Sequence, residues 1–300
     1  MSQPQSDPTV HERSRLLFIH AHPDDETLWS GVTLAHYAGK GVDVRVLTCT
    51  LGDEGEVIPP ELAHHAPGQE NTLGQYRRGE LRAAMKTIGA YEHVLGENPL
   101  TMRGARYRDS GMAGTDENND PRALCRADLG SLAARIRARI VRLDPDAVVT
   151  YEATGGYGHP DHIRVHEATR AAIAGLPAEQ QPPLYVILVP DDVAREDRRW
   201  LQRHVSPASG LQVPASSDPY PPSVVNHELV THVVHGSSAD LALRDAALAH
   251  HRTQATVYQG YYALSNDVAA RLPRAEYFAR IDPVTGRYAR RIGAPVEGLV

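Results

Sequence analysis

The stretch His20-Ala21-His22-Pro23-Asp24-Asp25-Glu26 gathers imidazoles and carboxylates around one proline. A second stretch, Tyr157-Gly158-His159-Pro160-Asp161-His162, repeats that composition far along the chain. Imidazole nitrogens and carboxylate oxygens hold catalytic zinc, which takes three protein ligands and keeps one position open. His22 and Asp25 stand three apart at a turn and supply two ligands. A histidine of the second stretch supplies the third. Adjacent carboxylates divide the work: one binds metal, and its neighbour takes a proton from water. The spacing leaves open which of Asp24 and Asp25 is the ligand. Two histidines with one carboxylate suit ferrous iron as well as zinc. A single HPDD also serves as a helix cap, but two such motifs, each after a predicted strand, favour a metal.

The elements that must position these groups follow from periodicity. Residues 16–19 are apolar and predict a short buried strand. Residues 26–40 carry apolar side chains at helical spacing, bracketed at the end by Gly39 and Gly41. The β-branched run 42–50 predicts a second strand, 75–88 a helix and 93–96 a third strand. Asp128 is placed to cap a helix that runs to residue 143. Strands are predicted at 146–152, 184–189 and 228–235, and helices at 161–174 and 239–254. Segments 56–72, 103–127 and 195–235 read as irregular, and the last holds Pro207, Pro214, Pro219, Pro221 and Pro222. Strand–helix alternation predicts an α/β, Rossmann-like, mostly parallel sheet with helices on both faces, plus a smaller mixed C-terminal part. The expected division is a disordered 1–13, a catalytic domain at 14–190, and a C-terminal part at 191–300 that completes the pocket. In such sheets ligands bind beyond the carboxyl ends of the strands, and both motifs sit there.

Composition narrows the function classes. The chain has 300 residues, 41% hydrophobic and 23% charged, with a net charge of −6. A mildly acidic balance without a basic patch argues against nucleic acid. No apolar run reaches the length of a membrane span. The polar first residues lack the apolar core of a signal peptide. Two cysteines, Cys49 and Cys125, make no disulfide framework, so a reducing cytoplasm is expected. Cys49, in an apolar run, reads as buried. Other histidines carry no chemistry in this reading. His232 and His235 would face opposite sides of a strand, His64 and His65 fall in a proline-containing loop, and His250 and His251 on a surface-like helix. The glycines of GGYGHP do not spell the dinucleotide fingerprint, and DENND (116–120) lacks the spaced glycine and final glutamate of a calcium loop.

AHPDDE together with HPDH resembles the LmbE-like (PIG-L) zinc-dependent N-acetylglucosamine deacetylases. LTCTLGDEGEV (47–57), GQYRRGEL (74–81), YRDSGMAGT (107–115), VVTYEATGGYGHPDH (148–162) and ALSN (263–266) resemble the family's mycothiol-biosynthesis branch. The resemblance implies a Rossmann-like fold and one zinc ion per subunit, ligated by His22, Asp25 and His162. It implies Asp24 as general base, His159 as the group facing the oxyanion, Tyr157 as a group that polarises the carbonyl, and Asp161 as a partner orienting an imidazole. It implies Arg77 and Asp109 as grips on substrate hydroxyls. The implied substrate is a small amino-sugar inositol, whose acetamide is hydrolysed to an amine and acetate. A sister activity, mycothiol S-conjugate amidase, shares the metal motifs, and deacetylation of another N-acetyl sugar is a further alternative. A sugar-binding protein without turnover would have no use for Asp24, Asp25, His159 and His162 together. Oligomeric state, a homo-oligomer included, is left open by the sequence.

Overall fold

A computed structural model describes residues 14–98 and 104–300. The disorder expected at 1–13, and residue 103 of the predicted loop, lie outside the described residues. The chain order is β1 (Arg15–His20), α1 (Asp25–Gly39), β2 (Asp43–Thr48), α2 (Leu73–Ile88), β3 (Tyr91–Val94), α3 (Leu129–Leu143) and β4 (Ala147–Tyr151). A kinked turn α4 (Gly155–Gly158), α5 (Pro160–Ala174), β5 (Leu184–Pro190), α6 (Asp191–His204) and β6 (Val224–Val225) follow. The C-terminal part holds β7 (His232–His235), α7 (Ser238–Leu248), β8 (Thr256–Val257), β9 (Tyr261–Ala263), β10 (Ala269–Arg271), β11 (Ala275–Ile281) and β12 (Val296–Glu297).

The main sheet runs β12-β7-β11-β5-β4-β1-β2-β3, with β6 beside β5. Strands β3, β2, β1, β4 and β5 are parallel, and β11 lies antiparallel to both β5 and β7. Because β1 is central, both of its faces are buried. Leu17 and Ile19 pack into a cluster with Leu132, Ile136 and Val165 of α3 and α5. Leu16 and Phe18 pack on the other face with Leu34, Leu81, Met85 and Ala247 of α1, α2 and α7. That alternation puts helices on both faces, as the strand–helix order predicts. β8, β9 and β10 form a small antiparallel sheet. Strands from beyond residue 190 extend the main sheet, so no break in hydrogen bonding marks that boundary.

Three differences from the sequence reading have physical causes. Residues 191–204 form a helix where irregular chain was expected from 195. Its apolar content is sparse, but Ala194 and Leu201 are buried and Arg198 donates to the Ala215, Asp218 and Pro219 carbonyls, with exposed pairs such as Arg195 to Asp191 at 2.7 Å adding a little. The strand expected over 228–235 is confined to β7, preceded by a 3₁₀ turn, His227–Leu229. Helix α7 stops at Leu248, not Gln254. It starts with a capping box between Ser237 and Asp240, and its last turn tightens before His251 and Thr253 turn inward. Asp128 caps α3 as expected, its carboxylate accepting from Ser131 N at 2.8 Å.

Candidate active site

Parallel strands leave β1 in opposite directions, toward β2 and β3 on one side and β4 and β5 on the other. The crevice at that switch point, beyond the carboxyl ends of β1 and β4, is where this architecture binds ligands. Both histidine motifs fall there. β1 ends at His20, and residues 21–24 turn into α1. β4 ends at Tyr151 and leads through α4 into α5. That second turn needs its glycines. Gly155 and Gly156 have φ of 66° and 77°, a region that costs a residue with a side chain. A Cβ on Gly155 would also meet His162 Cβ at 2.9 Å. Pro160 then opens α5, where a missing N–H costs nothing.

Three donor atoms converge. His22 Nδ1 lies 3.2 Å from Asp25 Oδ2, His162 Nε2 lies 3.3 Å from the same oxygen, and the two nitrogens are 3.3 Å apart. Tetrahedral zinc with bonds of about 2.0–2.1 Å separates its ligand atoms by about 3.3–3.4 Å. The outer nitrogens fix the tautomers. His162 Nδ1 lies 3.2 Å from the Gly155 carbonyl, which can only accept, so Nδ1 carries the proton and Nε2 keeps its lone pair. His22 Nε2 faces Asp161 Oδ2 at 3.1 Å and Asp109 Oδ1 at 3.4 Å, leaving Nδ1 free toward the triangle. Carboxylates behind ligating imidazoles are the usual outer support of a metal site. Asp161 is fully buried and is held by Ser110 through both backbone N–H and hydroxyl.

Electrostatics agree with the packing. Burial alone would raise the Asp25 carboxyl, but the His162 and His22 imidazoles hold it well below the usual carboxylate range. Burial opposes charge on His22, yet the Asp109, Asp161 and Asp25 carboxylates raise it well above an ordinary histidine. Burial pushes Asp24 up to about 7, with Arg77 opposing and Asp25 adding. Burial, with His22 and His162 nearby, pushes His159 down to about 2. His159 Nδ1 accepts the Asp161 N–H at 3.2 Å, so its proton sits on Nε2. A ring nitrogen of His159 lies within 4.8 Å of ring nitrogens of both His22 and His162.

The remaining expected residues divide. Tyr157 stands half-exposed beside His162, with ring centroids 5.4 Å apart. Asp109 is buried against His22 and accepts from Gly111 N at 2.9 Å. Arg77, expected on a substrate hydroxyl, is buried. Its guanidinium donates to Gly52 O at 2.7 Å and Pro23 O at 2.5 Å, and lies 3.4 Å from Asp24 Oδ1. Those contacts fit a support of the Asp24 turn. A cavity of about 360 Å³ lined by Trp200, Arg244, Arg271 and Arg274 among others contains none of these residues.

The sequence reading missed two residues. His251 is fully buried, not on a surface, and its Nε2 lies 2.8 Å from Glu26 Oε1. Glu26 in turn accepts the Asp24 N–H at 2.9 Å. Glu26 stands within the first motif, but nothing in the spacing of His250-His251 marks which ring turns inward. His232 and His235 take separate partners, and His64 and His65 sit in a 3₁₀ turn that is not buried, where a ring nitrogen of each lies within 4.8 Å of a Glu70 carboxylate oxygen. Cys49 is buried, which pushes its thiol up to about 12.

Comparison with known proteins agrees with the geometry. Residues 17–173 match the family model described as PIG-L, GlcNAc-PI de-N-acetylase. A protein of Streptomyces scabiei named 1D-myo-inositol 2-acetamido-2-deoxy-alpha-D-glucopyranoside deacetylase is 44% identical over 280 residues, 88% of this chain and 83% of that protein. Proteins of the same name from Thermobifida fusca and Rhodococcus jostii are 41% and 42% identical, over 88% and 91% of this chain and 91% and 93% of theirs. The zinc-inhibited form of teicoplanin deacetylase shares the fold, with a TM-score of 0.50 and 20% identity over 90% of this chain and 99% of that one. The family match over residues 17–173 and the long alignments with curated relatives show that this chain belongs to the PIG-L de-N-acetylase family, a family of enzymes.

Proposed function

We propose that this protein is a metal-dependent hydrolase that removes acetate from N-acetylglucosaminyl-inositol in mycothiol biosynthesis. The observation that carries it is the triangle of His22 Nδ1, Asp25 Oδ2 and His162 Nε2, with edges of 3.2–3.3 Å and the outer nitrogen of each imidazole facing a hydrogen-bond acceptor. The substrate comes from the names of its relatives. His22, Asp25 and His162 would hold one divalent metal, zinc by the donor set, with ferrous iron also suited. When bound, the metal supplies Lewis-acid polarisation of the acetyl carbonyl and acidifies water.

The chain's own groups supply the proton movements. Asp24 takes a proton from the attacking water and returns it to the amine as the C–N bond breaks. Water oxygen ends in acetate, and the sugar leaves as the free amine. His159, protonated on Nε2, donates to the oxygen that gains charge, a contribution typically worth a few kcal/mol. Tyr157 adds a hydroxyl at the mouth. Asp161 and Asp109 orient His22, and Asp109 with Arg77 shapes the side where the inositol hydroxyls would bind. The C-terminal part, 191–300, completes this pocket. Two free cysteines, and no helix among the described residues long and apolar enough to cross a membrane, fit work in the cytoplasm.

The test is acetate release from N-acetylglucosaminyl-inositol by metal-loaded and metal-stripped protein, with a mycothiol S-conjugate alongside. Metal-dependent release from the first substrate, with little cleavage of the conjugate, is expected. Preferential cleavage of the conjugate would make this an amidase, and turnover undiminished by stripping would remove the metal from the reaction.

A further inference from the structure

The proposed base sits on an unusual backbone. Asp24 has φ of 112°, a conformation that residues with side chains rarely adopt. It persists only where neighbours over-determine it. The Asp24 N–H donates to Glu26 Oε2 at 2.9 Å, and the Asp24 carbonyl accepts from Thr27 N and Leu28 N at 3.0 and 2.9 Å. Glu26 is fully buried, and its other oxygen accepts from Thr27 Oγ1 at 2.6 Å and pairs with His251 Nε2 at 2.8 Å. His251 arrives from the segment after α7 and is fully buried as well. That segment is itself anchored. Thr253 donates to Glu80 of α2 through N at 2.9 Å and Oγ1 at 2.6 Å. Ile58 N donates to Thr253 O at 3.0 Å, and Gln254 Nε2 donates to Glu56 O at 3.0 Å.

We infer that Glu26 and His251 are positioning residues: the buried pair clamps the Asp24 backbone in its left-handed conformation and so aims the Asp24 carboxylate at the reacting water. The inference rests on the proposed role of Asp24 as base. A buried carboxylate that loses a hydrogen-bond partner is held less firmly, and its grip on the Asp24 N–H is loosened with it. A small misplacement of a base costs much of its catalytic advantage. His251 hydrogen-bonds to Glu26 and to no ligand of the triangle, so its loss should spare metal binding; Glu26 adjoins Asp25 in the chain but directs its carboxylate to Asp24 N, Thr27 and His251.

The test uses the metal-loaded full chain with N-acetylglucosaminyl-inositol. His251→Ala should lower kcat about 10- to 100-fold, with KM and metal stoichiometry unchanged. His251→Gln, which can still present a donor to Glu26, should recover most of the rate. In an Asp24→Asn background the same His251→Ala change should cost less than about 2-fold, because a residue that acts through Asp24 has nothing left to position. Equal cost in both backgrounds, or metal loss in His251→Ala, overturns the inference. Full activity in Asp24→Asn instead overturns the base assignment. If His251→Ala does not fold, Glu26→Gln, which cannot accept from both Asp24 N and His251 Nε2, is judged by the same criteria. A crystal structure of the folding variant reads the clamp without any turnover. Asp24 should leave its φ near 112°, and an unchanged Asp24 backbone refutes the clamp.

Discussion

The ligand triangle and the support beneath Asp24 are built of the same parts, buried imidazole and carboxylate, but their partners lie differently along the chain. The triangle joins two compact motifs, each placed by the end of a neighbouring parallel strand. The support joins Glu26 to His251, 225 positions away, through a segment that belongs to no regular element. The triangle exposes lone pairs to a common point, so it is built for something absent from the chain. In the support both Glu26 oxygens and His251 Nε2 are turned to other protein groups, and the product is a backbone conformation. Chemistry directed outward needs several ligand-type residues close together, whereas chemistry directed at the backbone needs one hydrogen bond delivered from anywhere. That is why the first region announces itself by spacing and the second does not.

Four substitutions sharpen this contrast. The largest effect is expected at the triangle. His22→Ala or His162→Ala should lose the metal, and with it measurable turnover; normal metal stoichiometry in both variants by elemental analysis would break the ligand assignment. Next comes the group that faces the triangle without completing it. His159→Ala should keep its metal and lose about 10²- to 10³-fold in kcat, the usual cost of one oxyanion donor. If it loses metal instead, His159 belongs among the ligands, which its distance from His22 and His162 allows. The smallest effect belongs to the outer support. Thr253→Val leaves the Glu80 carboxylate, nearly buried, without its hydroxyl donor. Such a loss costs about 1–3 kcal/mol and a melting shift on the order of 5 °C. Metal content should not change, and calorimetry beside metal analysis separates the two.

Asp24 links the regions. A non-glycine residue in that conformation stores about 1–3 kcal/mol of strain, and the two motifs place it next to a ligand while the remote pair holds it. Arg77 shows the same division. Its place in GQYRRGEL points to a substrate contact, and the fold adds a second task, since two of its guanidinium nitrogens donate to the Gly52 and Pro23 carbonyls while Nε has no partner among the described residues. A residue type and its position in a motif do not reveal which of several nearby acceptors a long side chain will reach. Helix α6 was hidden for another reason. Its inward face is regularly spaced, with Ala194, Arg198 and Leu201 at i, i+4 and i+7, but few of its residues are apolar and one inward position is an arginine, so a search for apolar side chains passes over it.

The sequence by itself determined the strand–helix alternation, hence a parallel sheet with helices on both faces, and placed both histidine motifs at strand ends. Burial of β1 on two faces and the glycines before His159 are local demands, and local demands are written in adjacent residues. Only tertiary packing across the fold chose the inward nitrogen of His22, whose partner Asp161 is 139 positions away, whereas that of His162 follows from the local turn that brings Gly155 O to its Nδ1. Tertiary packing also decided that His251 lies beneath the site. Helix α7 ends before that residue, and the chain's path beyond it is set by contacts with Glu26, Glu80 and residues 56–58, none of which is near it in sequence.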